Sequence, residues 1–126
     1  MVEPMKTVTI SIVNIVDGGV CVSASDGQKV YDVIRDSVLK GERVAISFAS
    51  ITRMTTAFLN AAVGQLYGEF PEDVIKRSLA PPIDFESWHV QRLKIVIDRA
   101  KEYFNDEPKI SKAFQSESEL TDDEDI

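Results

Sequence analysis

The segment 43–48, with the sequence RVAISF, is an almost uninterrupted apolar run between two amphipathic helical patterns. Such a run is typical of a strand that is covered on both faces, as in the middle of an α/β sheet. Gly41 precedes the run at a position suited to the C-terminus of the first helix. The apolar positions of that helix are Val30, Val33, Ile34, Val38 and Leu39. The pattern therefore predicts an α/β protein with this strand inside its sheet.

Three further short strands are predicted around this one. The segment 6–16, KTVTISIVNIV, alternates apolar with hydroxyl-bearing side chains, which is a strand pattern. The residues DGG at 17–19 form a tight turn, and VCVSA at 20–24 follows as a second strand of a hairpin. A short edge strand is expected at 83–85, after two prolines. We expect a small, mixed, mostly four-stranded sheet with helices packed on it.

Helix starts are marked by capping residues. Ser25 and Gln28 have the spacing of a capping box, and Thr55 or Thr56 is suited to cap the next helix. Small residues recur along one face of that helix and predict close packing against a neighbour. They are Ala57, Ala61, Gly64 and Gly68. Pro71 opens a short helix, and a long amphipathic helix is predicted over 87–104.

The net charge of −7 is concentrated at the C-terminus. The last eleven residues, SESELTDDEDI, carry six acids and no base, and the rest of the chain has 15 acidic against 14 basic residues. Residues 1–112 are therefore predicted to form one domain, and residues 113–126 a disordered acidic tail. A docking or decoy role of this tail against a basic partner is the alternative. The charge distribution does not favour nucleic-acid binding.

The sequence shows neither a signal peptide nor the run of about 18 apolar residues that crosses a membrane. Cys21 is the only cysteine and cannot form an internal disulfide. These features predict a cytoplasmic protein that does not enter the membrane. Cys21 lies within an apolar strand pattern, so we expect it to be a small core residue.

No phosphate-binding loop, nucleophile elbow or zinc-protease motif is present. His89 is the only histidine and is expected at a surface or half-buried position of the last helix. Asp32 and Asp36 are expected to face water rather than to act as an acid/base pair. A serine or threonine is a weak nucleophile without a neighbouring base. We therefore expect no metal, no cofactor and no enzymatic activity.

The segment 55–60, TTAFLN, followed by AVG at 62–64, resembles the hallmark of the STAS-like family of small prokaryotic proteins. With the order of predicted elements, the resemblance covers residues 7–104. The wider STAS class includes anti-sigma-factor antagonists, which a partner kinase phosphorylates at this strand-to-helix junction. The resemblance places Thr56 at the modified position, whereas Thr55 stands where those antagonists usually carry Asp. It also implies a histidine-kinase-like ATPase as the partner.

The expected function is that of a non-enzymatic regulatory or adaptor module that binds a partner protein through this junction. The candidate partner-binding or phosphorylated residues are Ser50, Arg53, Thr55, Thr56 and Asn60. Two alternatives remain: a sensor of a small ligand or anion that uses the same helix N-terminus, and a small hydrolase or transferase. In a simpler interpretation, the threonines only cap the helix.

Overall fold

The structure is a computed structural model and describes residues 6–106. Its strands are β1 (Thr7–Ser11), β2 (Val20–Cys21), β3 (Arg43–Ser47) and β4 (Arg53–Met54). Its α-helices are α1 (Ile12–Val16), α2 (Ala24–Leu39), α3 (Thr56–Leu59), α4 (Leu66–Glu69), α5 (Glu72–Ser78) and α6 (Ser87–Asp106). A π-helical turn, Asn60–Gly64, joins α3 to α4. The predicted acidic tail, 113–126, lies outside the described residues.

β3 is the buried strand that the sequence predicts. It pairs in parallel with β1, in a register that runs from Thr7 opposite Arg43 to Ser11 opposite Ser47. On its other side, single parallel bridges join β3 to residues 79 and 83. The residues from 44 to 48 are all buried. Neighbours on both edges and helices on the faces explain why this strand is apolar at nearly every position.

The predicted mixed, mostly four-stranded sheet is wrong, although the α/β class is confirmed. The strands form two separate two-stranded sheets, β1 with β3 and β2 with β4, and both pairs are parallel. The expected edge strand at 83–85 is reduced to one bridge at Ile83. Asp84 has a positive φ of 55°, which an extended strand does not adopt.

The predicted N-terminal hairpin is absent because the chain turns into α1 after Ser11. Asp17 ends α1 in the left-handed conformation, and the Gly18 amide donates to the Val13 carbonyl at 3.1 Å. The apolar residues of α1 have the i, i+1, i+3, i+4 spacing of one helical face, so the same residues fit a helix as well as a strand. Because α1 separates β1 from β2, the two strands do not form a hairpin, and β2 pairs with β4 instead.

α2 begins two residues earlier than the predicted capping box. The Ser23 hydroxyl accepts from the Asp26 amide at 3.1 Å, and Ser25 is therefore not the cap. The prediction that Gly41 marks the C-terminal end of this helix is confirmed. Gly41 has a φ of 79°, and the Glu42 amide donates to the Ser37 carbonyl at 2.9 Å, as in a glycine-terminated helix.

The helical stretch 56–69 packs between α2 and α6. The predicted seam of small residues is shared between these two neighbours because the π-helical turn rotates the stretch part-way along. A Cβ at Gly68 would lie 2.5 Å from the Phe104 ring, and one at Gly27 of α2 would lie 2.7 Å from Ala61 Cβ. Ala57 is exposed. Close packing is therefore confirmed for part of the seam.

One face of α6 packs against the core, and its residues Leu93, Val96 and Ala100 are buried. This confirms the amphipathic pattern predicted over 87–104. Among the helices of residues 6–106, none combines the length and apolarity required to traverse a bilayer.

Candidate functional site

The junction between β4 and α3 is capped by Thr55. Its hydroxyl accepts from the Phe58 amide at 3.2 Å and donates to the Val22 carbonyl at 3.0 Å. The first contact caps the helix, and the second ties the helix start to the residue after β2. Since both hydrogen-bonding functions of this hydroxyl are in use, Thr55 has a structural role at the junction.

Thr56 is the first residue of α3 and differs from its neighbour. Its side chain is partly exposed, and in the described part of the chain its hydroxyl makes no hydrogen bond. Asn60 is exposed one turn later on the same side of the helix. The sequence predicts a cap at either Thr55 or Thr56. The structure assigns the cap to Thr55, and the Thr56 side chain is partly accessible.

A groove of about 310 Å³ opens beside this helix start, and we call it the junction groove. Its walls come from the residue after β2, from β4 with the residues on either side of it, and from the start of α6. It is lined by Val22, Thr52, Arg53, Met54, Thr55, Trp88 and Arg92. The groove therefore combines two guanidinium groups, two hydroxyl groups and one indole ring.

The two arginines stand on different elements. Arg92 of α6 donates from Nη1 to the Met54 carbonyl at 2.6 Å, and its guanidinium carbon lies 5.3 Å from the centre of the Trp88 ring. Arg53 of β4 is exposed. Within residues 6–106 neither arginine forms an ion pair. The groove thus presents positive charge that carboxylate or phosphate groups can neutralise.

His89 holds the two sides of this region together. Its Nε2 donates to the Ile51 carbonyl at 2.8 Å, and its Nδ1 accepts from the Glu86 amide at 2.8 Å. The ring also stacks on Phe48, with 5.1 Å between ring centroids. Only 1% of the residue is exposed, so the surface or half-buried position expected from the sequence is wrong. Both nitrogens are bonded to backbone groups, which gives His89 a structural role.

The structure brings only some of the predicted site residues together. Arg53 and Thr55 line the junction groove, whereas Thr56 and Asn60 lie on the adjoining helix surface. Ser50 is exposed in the turn after β3 with a φ of 64° and does not line the groove. The predicted set therefore divides into groove, helix and turn positions.

Sequence reasoning missed the contribution of α6 to this site. Trp88 and Arg92 lie four residues apart, a spacing that places two side chains on one face of a helix. That spacing was visible in the sequence, but nothing in it indicated that this face meets the β4–α3 junction. The sequence also did not indicate that Val22, Thr52 and Met54 line the groove. They meet there because β2 pairs with β4, which brings together segments that are distant in sequence.

Outside the junction groove, the surroundings of Cys21 and Glu69 shift the pKa values of their side chains. Burial, and secondarily the charge of Asp26, raises the pKa of the Cys21 thiol to about 11. Cys21 is fully buried, which confirms the prediction of a core residue. The Tyr31 hydroxyl and then the Arg35 guanidinium hold the pKa of the Glu69 carboxyl below its usual range. This cluster joins α2 to α4 through hydrogen bonds from Tyr31 and Arg35 to Glu69.

The acidic residues do not converge into an ion-binding arrangement. Asp32 and Asp36 are exposed on α2, as expected, and each contacts a neighbour on its own helix or cap. No group of three or more His, Cys, Asp or Glu residues in the region 6–106 is placed to hold a metal ion.

Comparison with known proteins identifies the part of the chain that contains this junction. Residues 26–81 match the model of a family described as "STAS-like domain of unknown function (DUF4325)". The match is narrower than the range 7–104 expected from the sequence, and it includes β3, β4 and the helical stretch 56–69. Neither the curated proteins nor the solved structures contain a match to the chain. The chain therefore contains a STAS-like domain, matched over residues 26–81.

Proposed function

We propose that this protein is a non-enzymatic regulatory or adaptor module that binds a partner protein through the β4–α3 junction. The observation that carries the proposal is the accessible surface formed by Thr56, Asn60 and the adjoining junction groove. Trp and Arg are the residue types that most often dominate the energetics of protein interfaces, and the groove presents one Trp and two Arg. The cytoplasmic location expected from the sequence belongs to the same proposal.

The chemistry of the junction supports binding rather than catalysis. A threonine nucleophile needs a base within hydrogen-bond reach. The Thr55 hydroxyl is engaged by two backbone groups, and both ring nitrogens of His89 are engaged by others. In the described chain, the Thr56 hydroxyl has no hydrogen-bonded base.

Phosphorylation of Thr56 by an ATPase-type kinase is the regulatory step that we propose for this surface. The Thr56 hydroxyl is accessible, and its modification does not require the cap to open because Thr55 supplies the cap. A phosphate would add about two negative charges and three acceptor oxygens to the partner-binding surface. The match of residues 26–81 to a STAS-like family model supports testing a histidine-kinase-like ATPase as the first partner class.

Partner binding can be tested with full-length variants in a pull-down from the native host. Asn60→Arg and Arg53→Glu change the proposed surface, and Lys94→Glu changes an exposed lysine on α6 that does not line the groove. We expect one partner to be retained by wild type and by Lys94→Glu and to be lost from both junction variants. A partner that binds all four proteins equally would place the interface elsewhere.

A sensor of small anions is the second candidate function, and the arginine pair of the junction groove favours it. Arg53 and Arg92 lie on elements that are separated in sequence, and both line one open groove. Titration with inorganic phosphate and with ATP, followed by Trp88 fluorescence, tests this candidate. Saturable binding at physiological concentrations that Arg53→Gln weakens would favour the sensor. Absence of any saturable change would leave the protein-binding proposal alone.

A further inference from the structure

We infer that the acidic segment 116–126 of this same chain occupies the junction groove in the free protein and competes there with an acidic segment of the partner. The inference rests on the proposed function of the junction as a binding site. It adds the chemical class of the recognised segment, which is a run of carboxylates, and a mechanism that regulates access to the groove.

Charge complementarity is the first argument. The groove carries Arg53 and Arg92, and neither is neutralised by an ion pair within residues 6–106. The segment 116–126 carries six of the 21 acidic residues of the chain and no basic residue. The remainder of the chain is close to neutral, so this segment is its strongest concentration of negative charge.

The groove also restricts where a carboxylate would bind. Arg92 is held against the Met54 carbonyl and over the Trp88 ring, so its guanidinium is positioned before any ligand arrives. Such preorganisation reduces the entropy that binding loses. The Thr52 and Thr55 hydroxyls also line the groove, but they donate to the Gly19 and Val22 carbonyls, so the positive charge that a carboxylate meets comes from the two arginines. The Glu86 carboxylate accepts from Trp88 Nε1 at 3.2 Å and places a negative charge beside the indole ring. A bound carboxylate is therefore expected on the Arg53 side of the groove.

Chain length is the second argument. Trp88 and Arg92 lie in the first two turns of α6, and the acidic segment follows the other end of that helix. The axial distance from Trp88 to Asp106 is about 27 Å at 1.5 Å per residue. The ten residues from 107 to 116 can span up to about 33 Å when extended. The acidic run that begins at Glu117 can therefore reach the groove within its own molecule.

Tethering makes a weak contact sufficient for regulation. Exposed ion pairs are individually weak and are screened by salt. Covalent connection over a short stretch of chain raises the effective concentration of a tethered segment to about 1 mM. If the dissociation constant of the contact has the same order, the groove is about half occupied, and a competing peptide binds about twofold more weakly than to an empty groove.

Trp88 is the only tryptophan of the chain and lines the groove, so it reports occupancy directly. The test compares the full-length protein with a full-length variant in which the six acids become amides. These substitutions are Glu117→Gln, Glu119→Gln, Asp122→Asn, Asp123→Asn, Glu124→Gln and Asp125→Asn. Acrylamide quenching of Trp88 is measured first. A synthetic peptide of residues 116–126 is then titrated into both proteins.

We expect the amide variant to show stronger quenching and a peptide dissociation constant about twofold lower than that of wild type. Both differences should disappear at high salt. Arg53→Gln in the wild-type chain should also increase quenching, whereas Arg77→Gln on α5, which does not line the groove, should not. Thermal melts of all variants establish that each one is folded.

Equal quenching and equal peptide affinity in the two proteins would overturn the inference. If the peptide still bound both with an Arg53-dependent affinity, the groove would remain a site for acidic partners, and only its occupation by segment 116–126 would be excluded. An increase in quenching by Arg77→Gln as large as that by Arg53→Gln would show non-specific attraction and also overturn it. Quenching that changes with protein concentration would assign the contact to a second copy and overturn the intramolecular form.

Discussion

The imidazole of His89 donates from Nε2 to the backbone carbonyl of Ile51 at a distance of 2.8 Å, in an almost fully buried position. This hydrogen bond joins the first turn of α6 to the loop between β3 and β4. Arg92 stands one turn after His89, and Arg53 stands two residues after Ile51. The position of Arg92 relative to Arg53 in the groove therefore depends on this hydrogen bond.

Replacing His89 with Phe should destabilise the protein while keeping an aromatic ring against Phe48. The buried Ile51 carbonyl and the partly buried Glu86 amide would lose their partners, and an unsatisfied buried group costs about 1–3 kcal/mol. We expect a loss of about 2–4 kcal/mol in the free energy of unfolding by urea. Gln91→Ala, at an exposed position of the same helix, is the control and should change stability by less than about 0.5 kcal/mol. Unchanged stability of His89→Phe would contradict the structural role of His89.

The two adjacent threonines should respond differently to removal of their hydroxyl groups. Thr55→Ala removes the cap to Phe58 and the donor to Val22, and should cost about 1–2 kcal/mol in urea unfolding. Thr56→Ala should stay within about 0.5 kcal/mol of wild type. Thr55→Ser keeps the hydroxyl and should recover most of the loss. Equal losses at both positions would show that the cap is shared.

Thr56 should be the regulatory position if the junction is switched by phosphorylation. Thr56→Glu adds negative charge and should weaken or change partner binding, whereas Thr56→Ser should preserve it. Binding is measured by calorimetry once the partner has been isolated, and mass spectrometry of protein from the native host determines whether Thr56 is modified. An unmodified Thr56 in the presence of kinase and ATP, together with wild-type affinity of Thr56→Glu, would refute the switch and leave the docking surface in place.

The contact between α2 and the helical stretch 56–69 should not tolerate a side chain at Gly27. A Cβ there would meet the Phe58 carbonyl and lie 2.7 Å from Ala61 Cβ, so Gly27→Ala should destabilise the protein by about 1–3 kcal/mol. At Gly64 a Cβ would have its nearest contact at 3.3 Å, with the Asn60 side chain, and Gly64→Ala should have a smaller effect. Thermal denaturation of the matched pair tests the order. A more stable Gly27→Ala protein would be inconsistent with this packing.

Cys21 should be chemically inert in the folded protein. Burial raises its pKa from 9.0 to about 11, so the thiolate, which is the reactive form, is scarce at neutral pH. Because the folded state holds this proton more tightly, the associated stability is complete below about pH 9 and is lost as the pH rises to about 11. Iodoacetamide should modify urea-unfolded protein completely and native protein slowly. Rapid modification of the native thiol would contradict its buried position.

Local sequence patterns were sufficient to predict much of the architecture. The apolar run 43–48 predicted a buried strand, Gly41 predicted the end of α2, and the helical spacing predicted α6. These predictions succeed because burial of an element and the cap of a helix depend on residues within one or two turns of each other. The junction at Thr55 was identified for the same reason, and a pattern over ten residues was enough to indicate the STAS-like family.

Pairing of the strands and assembly of the groove were decided by the tertiary structure. The alternation at 6–16 is compatible with both a hairpin and a strand followed by α1, and only long-range packing selects the second. Arg53 and Arg92 are 39 positions apart, and their shared groove depends on the buried contact of His89 with Ile51. Local periodicity shows which face of an element is buried, but it does not contain the identity of the element that covers that face.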